Sequence, residues 1–266
     1  MEQRSRARPG YVEVEMAVRL DSTLQKGLQI LEVLAKSNDA LGITEISETL
    51  RLNKSNVHRL VRTLSALDYV NQDSDRRYRA SFKLWKLGSS TMSHPNLVRI
   101  CIGPMSDLGH KTGESIHLSV LDGLQTLYIN KIDSARSVRA YTERGGNAPL
   151  HCVATGKVLL AYNYDSLRAP ISRKLEKFTP KTITAIKALD AEMKRIREAG
   201  LAINLGEYRE DVGGIAAPIT GLDGAVVAAI GISGPITRFP ARKLKELSSL
   251  VVKSARDCSN SLRLGI

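Results

Sequence analysis

The chain has 266 residues, a length that suits about two domains at roughly 150 residues each. Hydrophobic residues make up 42% and charged residues 25%, proportions that exclude wholesale disorder and collagen-like or disulfide-scaffold architectures. Lys and Arg outnumber Asp and Glu by 39 to 27, a net charge of +12 that favours a polyanionic partner such as nucleic acid.

Residues 1–19 are polar and charged without a sustained period and read as a flexible arm. Residues 20–82 read as a winged helix-turn-helix. Leu24, Leu28, Leu31 and Ala35 recur at helical spacing, with Asp21 or Ser22 as the N-cap. Thr44 then caps a short helix, EISETL, that offers Ile46 and Leu50 to a core. Asn53 caps a third helix whose Val57, Leu60, Val61, Leu64 and Leu67 form one stripe. Two short helices around a tight turn have the spacing of a helix-turn-helix. YVNQDSDRRYRAS supplies two short strands around a polar turn, which makes a wing.

Residues 83–96 read as a linker helix and connector, and residues 97–266 as the second domain. Pro104 is expected at the first position of a new helix, where no N–H is needed. Alternating apolar runs flank Asp122-Gly123, and again Asp223-Gly224, so two hairpins and an antiparallel sheet are predicted. Helices are expected at His151 to Tyr162, at Thr184 to Ala199 with Gly200 as its stop, and at Ala241 to Cys258. A sheet with segregated helices makes an α+β domain.

The sharpest chemical signal is the stretch Thr49 to Leu67, which holds Arg51, Lys54, Arg59 and Arg62 and no acidic residue. Ser55, Asn56 and His58 add polar groups near the start of the third helix. The start of a recognition helix enters the major groove, where Arg reads guanine and Asn reads adenine with paired hydrogen bonds. Arg76 and Arg77 on the wing, and Thr44, suit phosphates. An isolated basic helix face is as often plain solvated surface; its place in the motif favours DNA.

Other motifs fail on inspection. Gly156-Lys157 is no phosphate loop, because His151 and Val158 stand where glycine and a hydroxyl residue are required. GISGP around Ser233 is no nucleophile elbow, since Pro235 takes the place of the second glycine. Adjacent helical residues do not face each other, so His151 and Cys152 are expected to be core and loop residues, not a catalytic pair. His94, His110, His117, His151 and Cys152 show no metal-ligand spacing, and Glu207, Glu210 and Asp211 read as a polar loop. The three cysteines, Cys101, Cys152 and Cys258, lack CxxC spacing. The longest apolar run, Ala225 to Ile232, is far short of the ~20 residues of a membrane span, and no apolar run follows the basic start MEQRSRARPG. No catalytic site, cofactor or metal is expected, no membrane partner, and a cytoplasmic location.

The segment LQKGLQILEVLAKSNDALGITEISETLRLNKSNVHRLVRTLSALDYV resembles the winged helix-turn-helix of IclR-type transcriptional regulators. TGESIHLSVLDG, YINKIDS, APLHCVATGKVLLAY, GEYREDVGGIAAPI and AAIGISGP continue the likeness in the family's order. Within the family the runs are most similar to repressors of sugar-acid and ketodeoxygluconate catabolism. The resemblance implies a GAF-like effector domain, a homodimer or dimer of dimers, a double-stranded DNA operator, and a small carboxylate effector. It places the effector pocket at Ala154, Thr155 and Gly156, at Asn204 and Gly214, and at Gly231 and Ser233. Asn204 and Gly214 stand where relatives carry an acid and a cysteine, and Gly231 where they carry a serine. The two glycines suggest a roomier pocket, and the lost acid and thiol argue against zinc. Two other readings stay open: an enzyme on a small acid with an appended DNA-targeting domain, and a ligand-independent architectural binder.

Overall fold

A computed structural model of the chain describes residues 20–91, 97–140 and 142–264. The expected arm at 1–19 lies outside the described residues. The described residues form two compact units, one up to residue 91 and one from residue 97 onward.

In the first unit, α1 (Ser22–Lys36) is capped by Asp21, whose carboxylate accepts the Leu24 N–H at 2.8 Å. Its inward face differs from the expected stripe. Ile30 and Leu34 are buried, whereas Leu24 and Leu28 are 64% and 50% exposed. The helix carries two adjoining apolar stripes, and the one that meets Val57, Leu60 and Val61 becomes core. Helix α2 (Ile43–Leu50) is capped by Gly42 rather than Thr44, and the Glu45 carboxylate accepts the Gly42 N–H at 2.6 Å. Helix α3 (Lys54–Ala66) follows Asn53 at the N-cap, although the Asn53 side chain makes no capping bond. Val57, Leu60 and Val61 are buried, while Leu67 at the C-cap is half exposed. The wing is the antiparallel pair β1 (Val70–Gln72) and β2 (Tyr78–Ala80). Helix α4 (Phe82–Thr91) occupies the expected linker, and residues 92–96 lie outside the described residues.

The second unit opens with α5 (Leu97–Thr112), which runs through Gly103-Pro104 instead of starting there. An interior proline costs ~3 kcal/mol. The preceding turn stays helical because Leu97 and Cys101 are buried in the main core, and one buried Leu alone is worth about 1.5–3 kcal/mol.

The six-stranded antiparallel sheet has the order β5-β4-β3-β8-β7-β6. Its strands are β3 (Ser115–Asp122), β4 (Gln125–Ile132), β5 (Asn147–Pro149), β6 (Ala202–Leu205), β7 (Val212–Thr220) and β8 (Val226–Pro235). Both predicted hairpins form, with shifted turns. Asp122 still pairs with Gln125, so the first turn is Gly123-Leu124, with Gly123 in the left-handed region as a two-residue hairpin with leading glycine requires. The second connection spans 221–225 and closes with a Gly221 N–H bond to the Ala225 carbonyl.

Helices cover both faces of this sheet. Ile116, Leu118, Ile230 and Ile232 pack against α5 and α9 (Ala241–Leu264). Ala216 and Ala229, from the opposite alternation, pack against α6 (Ala154–Tyr162), α7 (Tyr164–Ser172) and α8 (Ile186–Ala199). Helix α6 starts three residues later than expected, because His151 is held in the preceding turn by a 2.9 Å bond to the Glu176 carbonyl. Helix α9 outruns its predicted end, and Ser259 in the added turns accepts the Thr220 N–H at 3.0 Å.

Candidate functional site

The first surface is the outer side of α3. Burying Val57, Leu60 and Val61 turns Ser55, His58, Arg59 and Arg62 outward on one stripe, with Lys54 exposed at the start of the helix. Asn56 is half buried, and its side-chain Oδ1 accepts a 3.3 Å bond from the Arg59 guanidinium, so the two groups present one paired polar patch. Backbone N–H groups free at the start of α3 add to the attraction for anions. Thr44 is exposed in the first turn of α2. Arg76 is exposed at the wing's turn in the left-handed region, with φ 58°.

Arg77 behaves differently from its expected role on phosphate. Its guanidinium bonds both Glu45 oxygens at 2.8 and 2.9 Å, and its Nε donates to the Ala40 carbonyl at 2.8 Å. It ties the wing to α2. The Gly42 N–H, and then Arg77, hold the Glu45 carboxyl below the usual carboxylate range. Arg79, exposed on β2, escaped the sequence reading; strand alternation opposite buried Tyr78 was the available signal.

The second site is a cavity of about 270 Å³ in the second unit. Register builds one of its walls. Asn204 pairs with Gly214, Gly214 with Ser233, and Gly231 with His117, so these positions share the face that meets α6. Ala154, Thr155, Asn204, Gly214 and Ser233 line the cavity; Gly156 and Gly231 do not.

The two glycines expected to enlarge it are packing glycines. A Cβ at Gly231 would lie 2.7 Å from the Ile215 carbonyl oxygen and 3.1 Å from Thr155 Cγ2. One at Gly214 would lie 2.9 Å from the Ile232 carbonyl oxygen. Gly156 similarly lets α6 approach the Leu150 backbone, which a Cβ would meet at 2.8 Å. The missing side-chain volume is taken by neighbouring chain, so no extra room results.

The sequence reading missed the cavity's most distinctive groups: His117, Tyr128, Thr142, Tyr208 and Arg209. His117 Nε2 lies 2.7 Å from Ser233 Oγ, and its ring packs on Tyr128 at 5.2 Å. Burial, reinforced by Lys131, pushes His117 down to about 4. Burial pushes the Tyr128 phenol up to about 12. Both are therefore neutral at ordinary pH, and Arg209 is the Lys or Arg side chain that lines the cavity among the described residues. Only the alternation of β3, which sets His117 on the opposite face from Ile116 and Leu118, hinted at this role.

A buried ion cluster supports the turn that carries Tyr208 and Arg209. Lys157 is 1% exposed and donates to Glu207 at 2.6 Å and to Glu192 at 2.9 Å. Burial raises the Glu207 carboxyl despite Lys157. Burial also works to raise Glu192, but the Arg195 hydrogen bond and Lys157 hold it below its ordinary value. The Glu207 N–H donates to Asn204 Oδ1 at 2.8 Å, and the Thr182 hydroxyl to the Glu207 carbonyl at 2.6 Å. Elsewhere in this unit, Glu114 is clamped between Arg136 at 2.9 Å and Arg238 at 2.8 Å, and Arg238 also holds the Val138 carbonyl. His151 and Cys152 are buried, with burial raising the thiol to about 12, the opposite of an activated nucleophile. Among the described residues no three His, Cys, Asp or Glu side chains gather as a metal site would need, and no helix is long and apolar enough to cross a membrane.

An exposed basic recognition helix and a separate unit enclosing a cavity with several polar side chains define a DNA-binding regulator with an effector domain. Residues 23–74 match the IclR helix-turn-helix domain, and residues 89–260 match the bacterial transcriptional regulator IclR C-terminal family. The chain belongs to the IclR family of transcriptional regulators, and it is not an enzyme. It is 34% identical over 241 residues to the HTH-type transcriptional regulator KdgR of Escherichia coli strain K12, covering 90% of this chain and 91% of KdgR. It is 29% identical to the HTH-type transcriptional repressor AllR of the same organism, covering 99% and 98% of the two chains. The crystal structure of Thermotoga maritima IclR superposes with a TM-score of 0.75 at 28% identity, over 91% of this chain and 98% of that one.

Proposed function

We propose that the chain is a repressor that binds a double-stranded operator through α3 and releases it, or tightens on it, when a small organic acid of the sugar-acid class occupies the cavity. Lys54, Ser55, Asn56, His58, Arg59 and Arg62 carry the base and phosphate contacts, with Thr44 and Arg76 on the backbone. The observation that carries the reading is the acid-free outer stripe of α3, because uncompensated Lys and Arg on a helix are the electrostatic footprint of nucleic acid. Such a regulator works where the DNA is, in the cytoplasm.

Homodimerisation, alone or as a dimer of dimers, completes the proposal. Leu24 and Leu28 on α1, and Phe82 and Trp85 on α4, are large apolar side chains at least half exposed. Side chains of this kind are the material of an isologous interface.

In the cavity, Ser233, Thr155 and Asn204 offer hydrogen bonds, the N–H groups at the start of α6 suit a carboxylate, and Arg209 supplies the counter-charge. Calorimetry with 2-keto-3-deoxygluconate, D-gluconate and pyruvate tests this on the parent and on Ser233→Ala. The variant is expected to bind more weakly by about 0.5–1.5 kcal/mol, or up to ~3 if Ser233 touches the charge. Equal affinities would place the ligand elsewhere.

A further inference from the structure

We propose that His117 sets the direction of the Ser233 hydroxyl: it donates from Nε2 to Ser233 Oγ, which leaves the Ser233 O–H for a ligand carboxylate. The inference rests on the acid-binding reading of the cavity and adds a positioning residue to it.

The geometry begins in the register of the sheet. His117 on β3 pairs with Gly231 on β8, so Ser233, two residues along, shares its face. The 2.7 Å contact between Nε2 and Ser233 Oγ is short and lies inside the cavity wall. The other ring nitrogen, Nδ1, has a long 3.5 Å contact with Thr142 Oγ1. His117 is buried, and its low proton affinity keeps the ring neutral. A neutral imidazole has one N–H, which leaves two arrangements.

In one arrangement the proton sits on Nδ1, Ser233 donates to Nε2, and the serine lone pairs face the cavity. Those lone pairs repel a carboxylate. In the other the proton sits on Nε2, Ser233 accepts it, and the serine O–H is free to donate. Ser233 stands where an anion would sit: Ser233 Cβ and Ala154 Cβ both lie within 4 Å of the point a Gly214 Cβ would occupy. Ala154 is the first residue of α6, so its open N–H groups and the serine hydroxyl converge on one region. A carboxylate there selects the Nε2–H form. A bound hydroxyl group that donates to Ser233 would select the other.

The test is nitrogen-resolved NMR of the His117 ring in the full chain, free and with 2-keto-3-deoxygluconate, D-gluconate or pyruvate. Calorimetry of His117→Gln and His117→Leu accompanies it. The bound parent should show the Nε2–H signature. His117→Gln, whose amide can still donate to Ser233, should keep affinity within about threefold, and His117→Leu should lose about tenfold or more. A ring protonated on Nδ1 in a bound complex would overturn the inference and leave the acid-binding reading standing. Equal losses in the two variants would do the same. Failure of every acid to bind the parent would overturn the acid-binding reading, and this inference with it. The parent spectrum decides the question even if the leucine variant does not fold.

Discussion

Replacing Lys157 by Met removes a cation from the most enclosed charge cluster in the second unit. Lys157 is almost fully buried and reaches Glu207 at 2.6 Å and Glu192 at 2.9 Å. Glu192 keeps Arg195 at 2.7 Å, but Glu207 loses the only cation with which it forms an ion pair among the described residues. Breaking a buried pair by removing one partner costs about 3–5 kcal/mol, a large part of the ~5–15 kcal/mol that holds a domain folded. Removing both partners, in Lys157→Met with Glu207→Gln, should recover about 1–3 kcal/mol relative to additivity. The Glu207 side chain also steadies the turn bearing Tyr208 and Arg209, so acid binding should weaken in Lys157→Met beyond any loss in the double variant. Urea unfolding followed by circular dichroism gives the stabilities, and calorimetry the affinities. A Lys157→Met variant within about 1 kcal/mol of the parent, or strictly additive effects, would refute the reasoning.

Three further outcomes follow from the same geometry. Arg59→Ala should cost about 1–3 kcal/mol on the specific site and relax sequence preference; in gel-shift titrations, an equal loss on random DNA would reduce Arg59 to a phosphate contact. Gly231→Ala should destabilise by about 1–3 kcal/mol through overpacking, since its Cβ meets the Ile215 carbonyl oxygen on β7 at 2.7 Å and Thr155 Cγ2 on α6 at 3.1 Å; a melting temperature unchanged from the parent would contradict the close approach of β7 and α6 to this glycine. Because His117 is pushed from 6.5 down to about 4, the unfolded chain binds a proton that the folded chain refuses between those values. Stability should therefore rise with pH through that window, by about 3 kcal/mol from this group, and be fully present above it; an unfolding-versus-pH curve unchanged in His117→Gln would refute the assignment.

The helix-turn-helix was legible because its signals are local: a cap, an apolar stripe and an acid-free basic face all fall within Thr49 to Leu67. The sequence points to the wrong stripe of α1 because Leu24 and Leu28 lie at the same helical spacing as the residues that form the core. Spacing shows that a face exists, not which partner covers it. Pro104 suggests a helix start because proline is expensive inside a helix, but long-range burial of Leu97 and Cys101 outweighs the local preference.

The cavity was half legible. Ala154, Thr155, Asn204, Gly214 and Ser233 come from short motifs that the family resemblance aligns. His117, Tyr128 and Arg209 come from separate strands and a turn, and only the sheet register assembles them. Glycines 214 and 231 carried the opposite meaning from the one expected. Side-chain absence in a sequence looks like space, whereas here it marks where backbone and helix come closest.

The central claim, that one chain reads DNA and an acid together, is tested most directly by fluorescence anisotropy on labelled DNA from upstream of its own gene. The titration is run against random DNA, at two salt concentrations, with and without 2-keto-3-deoxygluconate. The account predicts preference for the specific site, affinity that falls steeply with salt as counterions are released, and a shift of about tenfold or more on adding the acid, within the usual 1–3 kcal/mol of allosteric coupling. Equal affinity for random DNA, or specific binding that none of the sugar or keto acids alters, would contradict it.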